Sequence, residues 1–165
     1  MEHFDLMQEL ELLSRLLVAS VLAGVLGWER ETAGKAAGMR THILVAIAAA
    51  AFVLIGDVAT AHFRGYGQQM AFDPLRIIGA VVTGVSFLGA GTIFVTRGER
   101  RVRGLTTAAS IWTTAAVGML AGFGAWALAA GVTLLVFVVL RVLGYIEKRF
   151  DPSRGDEGEA KGRRS

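Results

Sequence analysis

Few side chains in this sequence of 165 residues could do chemistry, and most stand at the ends of apolar blocks. Asp73-Pro74-Leu75-Arg76 sets an acid and a base one helical turn apart. IIGAVVTGVSFLGAGTIF follows, and no further charge appears through Val95. An ionisable group at the edge of a membrane span is costly unless paired or wetted, which makes Asp73 and Arg76 functional candidates. Asp73 is equally a good N-cap and Pro74 suits the first helical position, so the tetrapeptide would start a helix well without any function. A second group is Glu29-Arg30-Glu31 with Arg40-Thr41-His42. These charges can pair across a short hairpin whose tight turn Gly34 and Gly38 permit. The alternative is a site for an anionic lipid headgroup, or a gate.

The third group is a set of hydroxyls. Thr106-Thr107-Ala108-Ala109 recurs seven residues later as Thr113-Thr114-Ala115-Ala116, with Ser110 between them. Seven residues is close to two turns, so the repeats share a face. Such hydroxyls bond to carbonyls within the helix or across to a neighbour, or they line a hydrated path. Asp57, near the outer end of its block, either meets water or faces a cavity that Asp73 also lines. Mg²⁺ keeps most of its waters and uses one or two carboxylates. Asp57 and Asp73 are the only metal candidates on that basis, with Arg76 opposing a cation at Asp73.

No catalytic pattern is present. His3, His42 and His62 lack metal-ligand spacing, there is no cysteine, and neither a nucleophile motif nor a phosphate loop occurs. The expectation is a non-enzyme without cofactors, with Mg²⁺ entering only as a transported or sensed ion.

The elements that must position these residues are membrane helices. The chain is 53% hydrophobic, and its apolar residues come in blocks of about 20, the length that spans a bilayer. The blocks lie at roughly 12–28, 42–61, 75–95, 105–121 and 123–143. They predict an all-α, polytopic bundle of five spans within one transmembrane domain, residues 1–145. The acidic first residues Glu2, Asp5, Glu9 and Glu11 do not read as a signal peptide. The tail 146–165 is charged and Gly-rich and is expected to be disordered. Basic residues alternate between loops: Arg30, Lys35 and Arg40, then Arg64 alone, then Arg97, Arg100, Arg101 and Arg103, then none before the basic tail. That pattern places the N-terminus outside and the C-terminus in the cytoplasm. Basic residues in short loops set topology and are not a nucleic-acid signal.

Small residues mark the faces where helices should meet. Ala19, Ala23 and Gly27 share one face of the first span, where Arg15 is expected to snorkel with Glu11 as partner. In the third span Gly79, Thr83, Ser86 and Ala90 form a stripe, flanked by Ala80, Gly84 and Gly91. This predicts close helix packing through Gly79, Thr83, Gly84, Ser86, Gly89 and Gly91, with a bend or break near Gly89 and Gly91. Gly118 and Gly122 form a GxxxG pair, a weak signal among 21 glycines. The fifth span is bulky and aliphatic and should face lipid.

Together the segments GWERETAGKAAGMRTHILV (27–45), DPLRIIGAVVTGVSFLGAGTIF (73–94) and GLTTAASIWTTAAVGMLAGFG (104–124) resemble the MgtC/SapB family of bacterial inner-membrane proteins. The resemblance covers roughly residues 10–145. It implies a multi-pass inner-membrane protein linked to magnesium homeostasis and adaptation to magnesium limitation, in a family some of whose members matter for survival inside host cells. Carried over by position, it marks Glu29, Arg30, Glu31, Arg40, Thr41, Asp73, Pro74, Arg76, Gly84, Gly89, Gly91, Thr106, Thr107 and Trp112. Ala80 stands where the pattern often has Gln. Longer members add a cytoplasmic C-terminal domain, so this chain reads as a short form. Two functions from different classes follow. One is Mg²⁺ transport along a path between spans three and four, with Asp73 at its entrance and Thr106/Thr107 at its inner end. The other is a non-transporting regulator that binds another membrane protein complex through its small-residue faces. Lipid and a second copy of the chain are further expected partners.

Overall fold

The computed structural model describes residues 5–63, 73–95 and 102–150. The sequence order is α1 (Leu6–Thr32), α2 (Met39–Phe63), α3 (Pro74–Gly91), β1 (Phe94–Val95), β2 (Val102–Arg103), α4 (Leu105–Gly122) and α5 (Trp126–Phe150). Helices account for nearly all of it, as the apolar blocks predict. In the membrane a helix satisfies its own backbone, which is why such blocks fold this way.

Four helices are long and apolar enough to cross a membrane: α1, α2, α4 and α5. The third block forms a shorter apolar helix, Leu75–Gly91. It does not reach Val95 as expected. Thr92 closes it, its hydroxyl donating to the Gly89 carbonyl at 2.7 Å. Phe94 and Val95 then leave the helix and pair antiparallel with Arg103 and Val102. Gly104 takes φ +90° at the start of α4, where a methyl group would collide with the Thr92 carbonyl. The glycine-rich end of α3 is therefore a break, where the helix stops and joins a short β-ribbon. Residues 1–4, 64–72, 96–101 and 151–165 lie outside the described residues, and with them most of the tail expected to be disordered. The tail residues 146–150 are helical and complete α5.

The core is a triad of α1, α2 and α4, with α3 against α4 and α2, and α5 against α1 and α4. Ala19, Ala23, Ala46, Ala50, Val117 and Ala121 meet at its centre and are all fully buried. The Ala19/Ala23/Gly27 face of α1 is buried as its spacing predicts. A close backbone approach of α4 to α2 comes from the glycine pair that looked weakest in the sequence. A methyl group on Gly118 would sit 2.8 Å from Ala46 Cα, and one on Gly122 would sit 3.1 Å from Ala50 Cα. Small residues at these positions let two helices pack backbone to backbone. On α5, Leu134, Leu135, Val138, Val139, Val142 and Leu143 are exposed, as a lipid-facing helix requires.

Candidate functional site

The chemistry-bearing residues fall at the two ends of the triad. At one end Arg15 of α1 reaches across the bundle. It donates to the Gly122 carbonyl at 3.0 Å and to Glu11 Oε1 at 2.8 Å, and it lies 3.5 Å from Asp57 Oδ2. The Glu11 partner is the expected one. The other two contacts turn a snorkelling anchor into a clamp joining the ends of α1, α2 and α4. Asp57 is accordingly held by an arginine, an arrangement that opposes cation binding there. Asp73 caps α3, its Oδ1 accepting from the Leu75 amide at 2.9 Å. Arg76 is exposed and makes no ion pair among the described residues. Among the described residues no group of three or more His, Asp or Glu could hold a metal ion.

The other end, beside the α1–α2 turn, holds a buried polar cluster. Glu29 and Arg30 end α1 as an adjacent ion pair, each about 3% exposed. Buried charges persist only when paired and hydrogen-bonded. Pairing across the hairpin is expected from Arg40, but Arg40 and Thr41 are exposed. It is Glu31 that crosses the turn: its Oε2 accepts from the Met39 amide at 2.8 Å and caps α2. Gly38 leaves room for that carboxylate, because a methyl group there would meet Glu31 Oε2 at 2.8 Å. Gly34 supplies φ +65° in the turn, as expected.

His42 lies at the heart of this end, fully buried. A methyl group on Gly27 would sit 3.1 Å from His42 Cβ, so α1 lacks a side chain where α2 brings in the imidazole. Its Nδ1 is 2.9 Å from the Gly38 carbonyl and its Nε2 is 3.2 Å from Ser110 Oγ on α4. Ser110 Oγ is also 2.8 Å from the Thr107 carbonyl, and Thr114 Oγ1 donates to the Ser110 carbonyl at 2.8 Å. Thr107, Ser110 and Thr114 are buried, while Thr106 is exposed and Thr113 half-buried. The buried hydroxyl face therefore runs through Thr107, Ser110 and Thr114, with Thr106 outside it. Metal-ligand spacing could not reveal His42, because its partner is a serine 68 residues away. The signal available was a histidine four residues after Gly38, the last polar residue before the apolar run from Ile43.

The α3 residues stand apart from both ends. Val81, Val85 and Gly89 face inward, Gly89 meeting Ala108 of α4. Gly79, Thr83, Gly84, Ser86 and Gly91 are exposed, and a methyl group on Gly79, Gly84 or Gly91 would meet nothing within 4 Å. Of the six residues expected to pack closely, only Gly89 does so within this chain. The branched Val81 and Val85 bury more apolar area against α4, which turns the small face outward. A small hollow between α3 and α4 is lined by Val82, Val85, Trp112, Ala115, Ala116 and Met119, all apolar apart from the indole N–H.

These features define a multi-pass membrane protein built of packed helices. The MgtC family model matches residues 16–149, and the chain belongs to that family. Among its relatives is a protein of Escherichia coli strain K12 named "Putative magnesium transporter YhiD", 40% identical over 132 residues, which cover 80% of this chain and 60% of the relative. Protein SapB of Bacillus subtilis is 31% identical over 155 residues, covering 94% of this chain and 66% of SapB. Protein MgtC of Brucella abortus is 39% identical over 125 residues, covering 76% and 48%. This chain thus matches about 60% of the length of the first of these relatives. No solved structure matches.

Proposed function

We propose that this protein serves magnesium homeostasis in the bacterial inner membrane, and that Mg²⁺ is the ion it transports or senses. The observation that carries the reading is the alignment of four-fifths of the chain with a relative named as a magnesium transporter. In the transport form of the proposal the N-terminus lies outside, Asp73 faces the entrance, and hydrated Mg²⁺ passes between α3 and α4. The protein performs no catalysis and needs no resident cofactor.

A second reading is supported by a specific observation. Asp57 is held by Arg15, Asp73 caps a helix, and the hollow between α3 and α4 is apolar. A cation carrier ordinarily needs accessible intramembrane carboxylates. The exposed small face of α3 suits a partner helix instead. In this form the chain regulates another membrane protein complex, or a second copy of itself, in response to Mg²⁺ supply.

Mg²⁺ uptake by proteoliposomes holding the purified chain separates the two. Uptake above that of empty liposomes, reduced in Asp73→Asn, supports transport. Uptake equal to empty liposomes removes transport and leaves the regulator, for which crosslinking in native membranes should then capture a partner on α3.

A further inference from the structure

The hydrogen bonds around His42 admit two arrangements of protons. The Gly38 carbonyl can only accept, so Nδ1, at 2.9 Å, carries a hydrogen. Nε2 faces Ser110 Oγ at 3.2 Å, and that same oxygen faces the Thr107 carbonyl at 2.8 Å. Ser110 has one hydroxyl hydrogen and two acceptors competing for it, Nε2 when bare and the Thr107 carbonyl. Two arrangements satisfy the geometry. With a neutral ring, Ser110 donates to Nε2, and the Thr107 carbonyl keeps its helical bond from the Ile111 amide. With a protonated ring, Nε2–H donates to Ser110 Oγ, and the hydroxyl hydrogen turns to the Thr107 carbonyl.

We propose that His42 and Ser110 form a buried proton-binding site in which uptake of one proton at Nε2 reverses the direction of the hydrogen bond joining α2 to α4. One N–H bond forms at Nε2 as one O–H bond of a hydronium ion breaks, leaving neutral water. The ring gains one positive charge. The charged groups that act on it are Arg30 and Glu29 of α1, an ion pair of zero net charge that is itself buried. The α4 face contributes hydroxyls only, because α4 carries no charged residue. Glu31, Lys35 and Arg40, around the turn and the start of α2, are exposed to the surroundings. Arg30 opposes an added charge on the ring and Glu29 favours it, so the pair leaves the hydrogen bonds of the ring as its main local support. A site that switches donor for acceptor at an interface between two helices links proton occupancy to how those helices meet. It does so whether or not the protein transports Mg²⁺.

The test is nitrogen NMR of the full chain in lipid nanodiscs, labelled with ¹⁵N-histidine and carrying His3→Asn and His62→Asn so that one ring remains. The expected spectrum keeps Nδ1 protonated at every pH, while Nε2 passes from protonated to bare as the pH rises. Ser110→Ala should move the midpoint by about half a unit or more, the scale of one hydrogen bond, with Nδ1 unchanged. Three results overturn the proposal: an Nε2 signal that never changes state, a ring whose bare nitrogen is Nδ1, or a midpoint that Ser110→Ala leaves in place. The first two are read on a chain with intact Ser110, so they hold even if Ser110→Ala fails to fold.

Discussion

His42 Nε2 lies 3.2 Å from Ser110 Oγ, joining the start of α2 to the first turns of α4 inside a buried interface. The contact sits beside the buried Glu29–Arg30 pair, so one end of the three-helix core holds a polar cluster while its middle is alanine and glycine. Polar groups so enclosed must be satisfied together, and removing one member exposes the cost of the others.

The Glu29–Arg30 pair gives the first prediction. Glu29→Gln leaves the Arg30 charge buried without its partner and should cost about 3–5 kcal/mol of stability. Replacing both together, as Glu29→Gln with Arg30→Met, should restore most of that loss. Thermal unfolding in detergent of the single and double variants measures both. A single variant as stable as the parent would show that the pair is solvated.

Gly118 and Gly79 should respond oppositely to the same change. Gly118→Ala drives a methyl group against the Ala46 backbone and should cost about 1–3 kcal/mol, the range for overpacking a tight core. Gly79→Ala meets open space and should be neutral, or stabilising by about 0.5–1 kcal/mol through the helix preference for alanine. Unfolding midpoints of the two purified variants provide the check.

Glu31 and Gly38 act as one unit at the α1–α2 turn. Glu31→Ala removes the cap on the Met39 amide and should cost about 1 kcal/mol, while Glu31→Gln keeps an acceptor and should cost less. Gly38→Ala pushes the carboxylate away and should resemble Glu31→Ala, with little added loss when the two are combined. A double-mutant cycle on unfolding midpoints reads that coupling.

Asp73 separates capping from transport. Asp73→Asn keeps a side-chain oxygen for the Leu75 amide and should leave stability within about 0.5 kcal/mol, whereas Asp73→Ala should cost about 1 kcal/mol. Helix content and unfolding of both variants establish this. A loss of function in Asp73→Asn would then be a loss of charge and not of fold.

The helices were legible because lipid imposes one simple rule, a run of apolar residues long enough to span. The buried face of α1 could be read too, since Ala19, Ala23 and Gly27 recur every fourth residue. The Asp73 cap followed from local chemistry alone. What could not be read was which small face finds a partner within the chain. Gly79 and Gly84 look better suited to packing than Gly118, but choosing between them depends on how α3 rotates to bury Val81 and Val85. The same limit hid the His42–Ser110 contact and the reach of Arg15 to Gly122, which are set by tertiary packing and carry no local spacing. The expected pairing of Arg40 failed for a nearer reason. Glu29 is satisfied by its neighbour Arg30, and Glu31 is taken by the α2 cap.

The proposed link to magnesium is tested most directly by the Mg²⁺ content and growth of a bacterium lacking this protein, measured in magnesium-limited and magnesium-replete medium. The expected result is a deficit confined to limiting Mg²⁺, corrected by the wild-type chain and not by Glu29→Gln. Growth and Mg²⁺ content that match the parent strain under limitation would contradict the account.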